Sequence, residues 1–228
     1  MVTYFASEDP CGKVACITGG ARGIGKAIVG TLLAHGWHVI APSYGECNLL
    51  EYDSVAAYAV HLAADISRLD ALILNAHAWQ SAPLVTQTPE DFDTQMAYVR
   101  QHWVLMTSLL QQISLECVVA VSSMRGLIGG VDCGLYSMAK AALIAMMLGF
   151  ARDYRGTRFH VICPGYTNTD MGIAVKESGG VSNPDAVPQP PECVAQTIYA
   201  HCLVGTANGL VLRVNNRVVD TMRWREDV

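Results

Sequence analysis

The sequence predicts an α/β protein with a doubly wound parallel sheet of about seven strands and helices on both faces of that sheet. The first reason is a rhythm along the chain. Short apolar runs of strand length alternate with longer segments of helical periodicity, as in successive βαβ units. The second reason is size. The chain has 228 residues, 51% of them hydrophobic, which is enough for one large core, so we expect a single domain over residues 1–228.

Apolar runs mark the strands in this prediction. They are KVACIT at 13–18, HVIAPS at 38–43, ALILN at 71–75, CVVAVS at 117–122, FHVICP at 159–164 and GLVLRV at 209–214. Runs that are apolar almost throughout are typical of strands that helices cover on both faces.

Longer periodic segments predict helices at about 23–35, 53–66, 89–112 and 136–154, with a further helix from near Pro191. Gly36 closes the first helix, because glycine readily adopts the left-handed conformation at a helix C-terminus. Asp53 is expected as the N-cap of the second helix, and Pro89 opens the third. The segment at about 166–190 is rich in Gly, Pro, Ser and Asn, and we expect it to form a lid over the substrate site.

Composition excludes several classes of function. The formal net charge is −5 and there is no basic cluster, so neither nucleic acid nor a membrane is an expected partner. The eight cysteines are scattered without a CxxC pair, which predicts buried free thiols in a reducing compartment and no metal site. The N-terminal segment has neither the basic nor the apolar region of a secretion signal, so we expect a cytoplasmic protein.

A glycine-rich loop joins the first predicted strand to the first predicted helix. It reads TGGARGIG, from Thr18 to Gly25, and its glycines at 19, 23 and 25 let the backbone turn tightly and approach a pyrophosphate. The helix behind it offers unpaired N–H groups and the positive end of its dipole. The GxxxGxG spacing differs from the general GxGxxG fingerprint, but its place in the first βα turn predicts a dinucleotide site.

The end of the second predicted strand bears on the choice between NAD(H) and NADP(H). An acidic residue there favours NAD because it binds the ribose hydroxyls, but the matching position is Ser43. Arg22, in the glycine loop, is suited to a 2′-phosphate. Both observations favour NADP(H). Glu46 keeps NAD(H) open, since it lies about 20 residues after the loop, where a ribose ligand is expected.

A serine, a tyrosine and a lysine make up the candidate catalytic set. Tyr136 and Lys140 are spaced i, i+4 at the start of a predicted helix, so their side chains share one face. A nearby ammonium lowers the pKa of a phenol, and such a tyrosine can exchange the proton that accompanies hydride transfer. Ser123 ends a predicted strand at the sheet edge where α/β proteins bind ligands, and its hydroxyl can hold a substrate oxygen.

Each of these elements is weak alone, but their order and spacing together resemble a known family. The segments TGGARGIG, LNAHA, VSSMRG, YSMAK and CPGYTNTDM are similar to the motifs of the classical short-chain dehydrogenases/reductases. The resemblance extends from Lys13 to about Val214. It implies a Rossmann fold and an enzyme that moves hydride between a nicotinamide cofactor and a ketone, aldehyde or alcohol.

The resemblance also implies roles for individual residues. Tyr136 would be the acid/base, Lys140 would lower its pKa and bind the nicotinamide ribose, and Ser123 would anchor the substrate oxygen. Asn48 and Leu49 match the pair that contacts adenine in the family. The cofactor site would further include Gly19, Ala21, Arg22, Gly23, Ile24, Gly25, Ser43, Asn75, Ala76, Pro164, Gly165, Thr167 and Thr169.

The chain departs from the family pattern at several places. The asparagine that relays protons in the family's long helix aligns with Val99, and His77 replaces the glycine of the usual Asn-Ala-Gly. The connection after the second strand is too short for its usual helix, which leaves the adenine side open. Asn215-Asn216 replaces a Gly-Gly pair.

Other residues near these motifs have two interpretations. Arg125 either binds an anionic substrate or has a structural role, and His77 either points into the active site or is an ordinary loop histidine. Trp79, Gln80 and Cys133 are further candidates for the substrate pocket.

The leading hypothesis is an NADP-dependent reductase of a ketone or aldehyde. The alternatives are an NAD-dependent alcohol dehydrogenase of the same family and, because of Val99, a dinucleotide-binding redox sensor without catalysis. Only 15% of the residues are charged, and the helices at 89–112 and 136–154 pair across subunits in the family, so we expect a homodimer or homotetramer. The substrate is expected to be a small molecule that no motif identifies.

Overall fold

The chain is seen in a computed structural model that describes residues 3–4, 12–181, 185–215 and 218–222. The strands are β1 Thr3–Tyr4, β2 Val14–Ile17, β3 His38–Ile40, β4 Arg68–Leu69, β5 Ala71–Leu74, β6 Ser114–Leu115, β7 Cys117–Val121, β8 Arg158–Pro164, β9 Val211–Asn215 and β10 Val218–Met222. The α-helices are α1 Gly23–Ala34, α2 Tyr52–Asp65, α3 Pro89–Gln112, α4 Met124–Ile128, α5 Gly134–Asp153, α6 Asp170–Glu177 and α7 Pro191–Thr197, which continues as a π-helix over Ile198–Leu203.

The main sheet has the order β1-β3-β2-β5-β7-β8-β9-β10. The strands from β3 to β9 are parallel, and β1 and β10 add antiparallel at its two edges. The chain runs from β2 outward to β3 and then returns to β5 on the other side of β2. This reversal leaves a crevice at the carboxyl ends of β2 and β5, which is where open α/β sheets bind their ligands.

Helices cover both faces of the sheet, as predicted for a doubly wound fold. Strand alternation sends Leu72 to a layer formed with α2, α3 and α5, where Leu105 and Leu143 are buried. It sends Ile17 to the opposite layer, where Ile28 of α1 and residues of α7 are buried. Each helix layer excludes water from one face of the same strands. Because both faces are buried, the sequences of these strands are continuously apolar.

The helix ends follow from their capping residues. Gly36, at φ 77°, follows α1, and the backbone N–H groups of Gly36 and Trp37 donate to Leu33 and Leu32, which closes a Schellman motif as predicted. α3 has the predicted bounds, and Thr88 forms a capping box with Asp91.

Two predicted helix starts were displaced. Asp53 is not the N-cap of α2, which begins one residue before it at Tyr52, so Asp53 lies in the first turn. α5 begins at Gly134 rather than at Tyr136.

α5 is long and apolar enough to cross a membrane by length and composition alone. Its buried face, which includes Ala139, Leu143 and Met147, packs against β7 and β8 in this fold. Burial against the sheet therefore accounts for its apolar composition.

Several short elements were not predicted. β1 pairs antiparallel with β3, Thr3 opposite Ile40, on the edge that the short connection after β3 leaves open. α6 lies inside the predicted lid, and an isolated bridge joins Thr167 to Gln189 across it. Residues 182–184 of that lid lie outside the described residues, as does Asn216.

Candidate active site

A cleft of about 500 Å³ opens at the carboxyl ends of β2, β3, β5 and β7. Most of the predicted site residues line it: Gly19, Ala21, Arg22, Gly23, Ile24, Gly25, Ser43, Asn48, Leu49, Asn75, Ala76, Tyr136, Lys140 and Thr169. Ser123, Pro164, Gly165 and Thr167 lie outside the wall of this cleft as the described residues form it. The fold therefore brings together motifs that are more than a hundred residues apart in sequence.

The glycine loop is shaped by close contacts that a side chain would prevent. Gly19 and Gly23 have φ values of 69° and 53°, and a Cβ on Gly25 would lie 2.0 Å from the carbonyl oxygen of Gly19. The Asn75 amide donates to the carbonyl oxygens of Thr18 at 3.0 Å and Gly19 at 3.1 Å, which ties the loop to the end of β5. The resulting cradle at the start of α1 fits a pyrophosphate.

Arg22 contributes a positive charge to the wall of the cleft. It is the N-cap residue of α1, its side chain is 77% exposed, and its guanidinium lies 3.8 Å from Asp170. A surface ion pair of this kind is weak, so the guanidinium can still bind another anion. Glu46 accepts hydrogen bonds from the backbone N–H and the hydroxyl of Ser43, at 2.9 and 2.8 Å, which turns its carboxylate back onto its own turn.

Asn48 lines the cleft, but its side chain is engaged locally. Its amide donates to Glu51 at 2.9 Å and its carbonyl accepts from the backbone N–H of Leu50 at 3.0 Å. These bonds shape the turn before α2. The backbone of Asn48 is also engaged, because its N–H donates to the Ser54 hydroxyl at 2.9 Å and its carbonyl oxygen accepts from the N–H of Glu51 at 3.0 Å. Little of this residue is left for the predicted contact with adenine. Tyr44, 70% exposed and also in the cleft wall, is an aromatic neighbour that the sequence reasoning missed.

Tyr136 and Lys140 lie side by side on the buried face of α5. The Lys140 ammonium is 5.7 Å from the centroid of the Tyr136 ring and donates to the carbonyl oxygen of Val121 at 2.9 Å. Burial raises the pKa of Tyr136 to about 12, against the lowering effects of a hydrogen bond to Ser123 and of the charge on Arg125. Burial lowers the pKa of Lys140 to about 7.

These values differ from the expectation that Lys140 would lower the Tyr136 pKa. Burial dominates instead, because both groups are almost fully removed from water and each favours its neutral form. Ser123 is the N-cap of α4, where its hydroxyl oxygen accepts from the backbone N–H of Arg125 at 3.1 Å. That bond fixes the hydroxyl beside Tyr136.

The segment after β8 contributes Asp170, Met171 and one predicted site residue to the cleft wall, Thr169. This residue caps α6 by accepting from the backbone N–H of Gly172 at 3.0 Å, and it lies against the glycine loop near Gly23. Thr167 is buried and bonded to Gln189 and to the carbonyl oxygen of Gly165. The Thr167 side chain thus orders the base of the segment in this structure.

The long helix α3 faces the site with a different residue from the one that alignment suggested. Val99 lines a groove on the outer side, whereas Tyr98 lines the cleft and packs against His77, with ring centroids 4.5 Å apart and ring planes tilted by 33°. Gln95 and His102, at helical spacing from Tyr98, are buried on the same side. The signal that could have found them was a set of polar side chains in an otherwise buried stretch of helix.

His77 lies in the active site, which was one of its two sequence interpretations. Its Nε2 is 3.0 Å from the Gln95 amide oxygen, and its ring meets Tyr136 edge-on at 5.3 Å. Trp79 also packs against Tyr136, at 4.9 Å between ring centroids. Gln80 instead donates to Asp91 at 2.5 Å, outside the cleft wall.

Arg125 makes contacts that suit its structural interpretation. Its guanidinium donates to the carbonyl oxygen of Gly129 at 3.1 Å and to that of Gly180, so it connects α4 with the segment after α6. Cys133 is buried at the N-cap of α5, 3.4 Å from the Ser137 hydroxyl.

The family model of short chain dehydrogenases matches residues 43–179. The chain belongs to the short chain dehydrogenase family. It is accordingly an NAD(P)-dependent oxidoreductase that acts on a carbonyl or an alcohol, and the hypothesis of a binding protein without catalysis is set aside.

Relatives in the short chain dehydrogenase family include two reductases. The chain is 26% identical to the 3-oxoacyl-[acyl-carrier-protein] reductase FabG of Salmonella typhimurium, over 73% of this chain and 78% of that protein. It is 29% identical to the acetoacetyl-CoA reductase of Rhizobium meliloti, over 78% of this chain and 83% of that protein. A solved short chain dehydrogenase of Burkholderia cenocepacia, in complex with NADP, superposes with a TM-score of 0.76 at 24% identity, over 90% and 97% of the two chains.

Proposed function

We propose that this enzyme is an NADP-dependent reductase of a ketone or aldehyde. The observation that carries the cofactor preference is the pair of contacts at the adenosine end of the cleft. Arg22 holds an exposed guanidinium there, while Glu46 is folded back onto Ser43. A 2′-phosphate would gain a charge-assisted partner from Arg22, in place of the weak surface ion pair that Arg22 makes with the exposed Asp170. The Burkholderia neighbour with bound NADP agrees with this preference.

The residues of the cleft have complementary roles in this proposal. The glycine loop and the N-terminus of α1 bind the pyrophosphate, and Thr169 lies against that loop. Lys140 binds the nicotinamide ribose, and Asn75 and Ala76 line the cofactor path. When bound, the dihydronicotinamide supplies the hydride.

Tyr136 and Ser123 act on the substrate. The Ser123 hydroxyl holds the carbonyl oxygen, and Tyr136 donates its phenolic proton to that oxygen as the carbonyl carbon is reduced. Burial keeps the phenol protonated before reaction, since it raises the pKa of Tyr136 to about 12. His77 and Trp79 pack against the phenol ring and keep bulk water from it.

The proposal is tested by following NADPH and NADH absorbance against a panel of carbonyl compounds. The panel begins with 3-oxoacyl thioesters, because two relatives are named for them. Tyr136→Phe should lower kcat by about 10²-fold or more, because it removes the proton donor and keeps the ring. Tyr52→Phe, on the exposed side of α2, is the control. Turnover that survives Tyr136→Phe would contradict the assignment, and oxidation of alcohols with NAD⁺ in preference to NADP⁺ would favour the NAD-dependent alternative.

We also propose a cytoplasmic homodimer or homotetramer. The groove between α3 and α5 is lined mostly by apolar side chains, together with Asp93 and Arg100, and Trp103 in its wall is 48% exposed. Exposed apolar surface of this kind marks an interaction site. The small-molecule substrate would bind between the cleft and the segment at about 166–190.

A further inference from the structure

A groove of about 600 Å³ opens along the outer side of α3. Four of its lining residues lie three, four, seven and ten positions after a fifth, Asp93, which places all five on one helical face: Asp93, Met96, Ala97, Arg100 and Trp103. Asp93 and Arg100 are exposed, and Trp103 is 48% exposed. The helix therefore presents to a partner a face that is apolar in the middle and charged on either side.

The two charges on this face have no partner within the chain. Asp93 and Arg100 are seven residues apart, which is two turns and about 10 Å along the helix. Neither side chain forms an ion pair or a hydrogen bond among the residues that the structure describes. They flank Met96 and Ala97, so a partner that covers these apolar residues must also bring a base to Asp93 and an acid to Arg100.

A second copy of the chain offers both charges at the required spacing. A two-fold axis makes residue i of one subunit contact residue j of the other, and residue j contact residue i. If two α3 helices pack antiparallel with the axis between Met96 and Ala97, Asp93 of each copy lies opposite Arg100 of the other. Met96 then lies opposite Ala97, and a long side chain against a small one lets the two helices approach closely.

Other registers bring like charges together. An axis at Asp93 places that carboxylate opposite its own copy, an axis at Arg100 does the same for the guanidinium, and a parallel pairing does so for both residues. Like charges that meet across an interface disfavour the arrangement that brings them together. Only the axis between Met96 and Ala97 gives an antiparallel pair in which both charges meet their opposites.

We propose that two copies of this chain pack α3 against α3 in this single antiparallel register, with two symmetric ion pairs between Asp93 and Arg100. The apolar side chains supply most of the affinity, and the charges select the register and the partner. The partner is a second copy, because the same helix in reverse direction presents a base and an acid in the order and at the spacing that Asp93 and Arg100 require. The inference rests on the proposed homo-oligomer and adds the axis and the pairing.

Charge reversal tests the pairing. Asp93→Arg or Arg100→Asp alone turns two attractive pairs into two repulsive ones. Each should raise the dissociation constant of this interface by about 10²-fold or more and halve the mass that light scattering measures. The double variant Asp93→Arg/Arg100→Asp restores both pairs with their signs exchanged and should recover the wild-type mass. Asp53→Arg, at an exposed position in the first turn of α2, is the control for the change in net charge.

Three results would overturn the register. If both single variants keep the wild-type mass of an oligomer, these residues lie outside the interface. If the single variants dissociate and the double variant does not recover, Asp93 and Arg100 lie in the interface but do not pair. If the wild-type protein is a monomer, the proposed homo-oligomer fails with the register. None of these measurements needs turnover, so they decide the register whether or not the protein reduces a carbonyl compound.

Cross-linking tests the position of the axis independently of charge. Met96→Cys places a thiol next to the proposed axis, so the thiols of two copies lie within reach of a short bismaleimide. That reagent should give a covalent dimer of Met96→Cys and none of Val60→Cys, on the exposed side of α2. The wild-type protein, treated in parallel, controls for its own thiols. An oligomeric Met96→Cys protein that yields no covalent dimer would contradict an axis between Met96 and Ala97.

Discussion

The imidazole of His77 stands edge-on to the phenol ring of Tyr136, with centroids 5.3 Å apart and ring planes at 84°. Trp79 meets the same ring at 70°. Because burial and the charge of Lys140 hold His77 neutral, these neighbours exclude water from the phenol without offering it a positive charge. Tyr136 is therefore protonated before the reaction, which is the form that reduction of a carbonyl requires.

The first prediction concerns the choice of cofactor at Arg22. Arg22→Ala should weaken NADPH binding by about tenfold or more and leave NADH binding almost unchanged, because only the 2′-phosphate loses a charge-assisted hydrogen bond. Titration of each cofactor by fluorescence or calorimetry measures both Kd values. Asp170→Asn is the control, since it removes the exposed ion pair with Arg22 and keeps the arginine. Equal losses for both cofactors would contradict the assignment of Arg22 to the phosphate.

The second prediction compares two glycines of α1. Gly25→Ala should abolish binding of both cofactors, because the new Cβ would lie 2.0 Å from the Gly19 carbonyl oxygen and displace the loop. Gly30→Ala places its Cβ where no atom lies within 4 Å and should raise the free energy of unfolding by up to about 1 kcal/mol through helix propensity. Cofactor titration and urea unfolding of both variants check the pair. If Gly25→Ala binds NADPH normally, the glycine loop does not bind the pyrophosphate.

Much of the architecture was predictable because it depends on local patterns. The strands were visible as continuous apolar runs, and the start of α3 was marked locally by Pro89. The positions of β1 and of the β4–β6 pair were not predictable, since each strand has only two residues and depends on a partner far along the chain. α6 was hidden because its helix lies in a segment whose composition is typical of a loop.

The candidate site was predictable where its residues belong to one contiguous sequence motif. Tyr136, Lys140 and the glycine loop are fixed by sequence spacing on one turn or one helix. Sequence spacing did not determine which residue of α3 lines the cleft. Counting from Phe92 pointed to Val99, whereas a helix turns 100° per residue, and the adjacent Tyr98 is the one that lines the cleft. The contacts of His77 with Gln95 and of His102 with Thr18 join separate segments of the chain, which no local pattern reveals.

The third prediction tests the proposed subunit interface. Trp103→Glu should dissociate the oligomer, because it places a charge on the exposed apolar groove between α3 and α5. Light scattering after size-exclusion chromatography measures the mass. Val60→Glu is the matched control, since Val60 is a similarly exposed apolar residue on α2, away from that groove. A monomeric wild type would reject the proposed oligomer, and a Trp103→Glu variant of unchanged mass would place its interface elsewhere.

The last prediction follows from the buried ammonium of Lys140. Burial lowers its pKa from 10.5 to about 7 in the folded protein, so between these values the unfolded chain keeps a proton that the folded chain has lost. The free energy of unfolding therefore rises with pH across this window, by up to about 1.4 kcal/mol for each pH unit. Lys140→Met removes this contribution, and it should stabilise the protein relative to wild type more at about pH 6.5 than at about pH 9.

Urea unfolding of both proteins without cofactor at the two pH values checks this difference in Lys140→Met. The hydrogen bond from Lys140 to Val121 is lost at both pH values and largely cancels. The contributions of Cys16 and Cys117 cancel too, because Lys140 is not among the causes of their raised pKa values. Lys176→Met, at an exposed position of α6, should show no change between the two pH values. If Lys140→Met shifts stability equally at both, then Lys140 stays charged across the window, and burial does not lower its pKa as far as about 7.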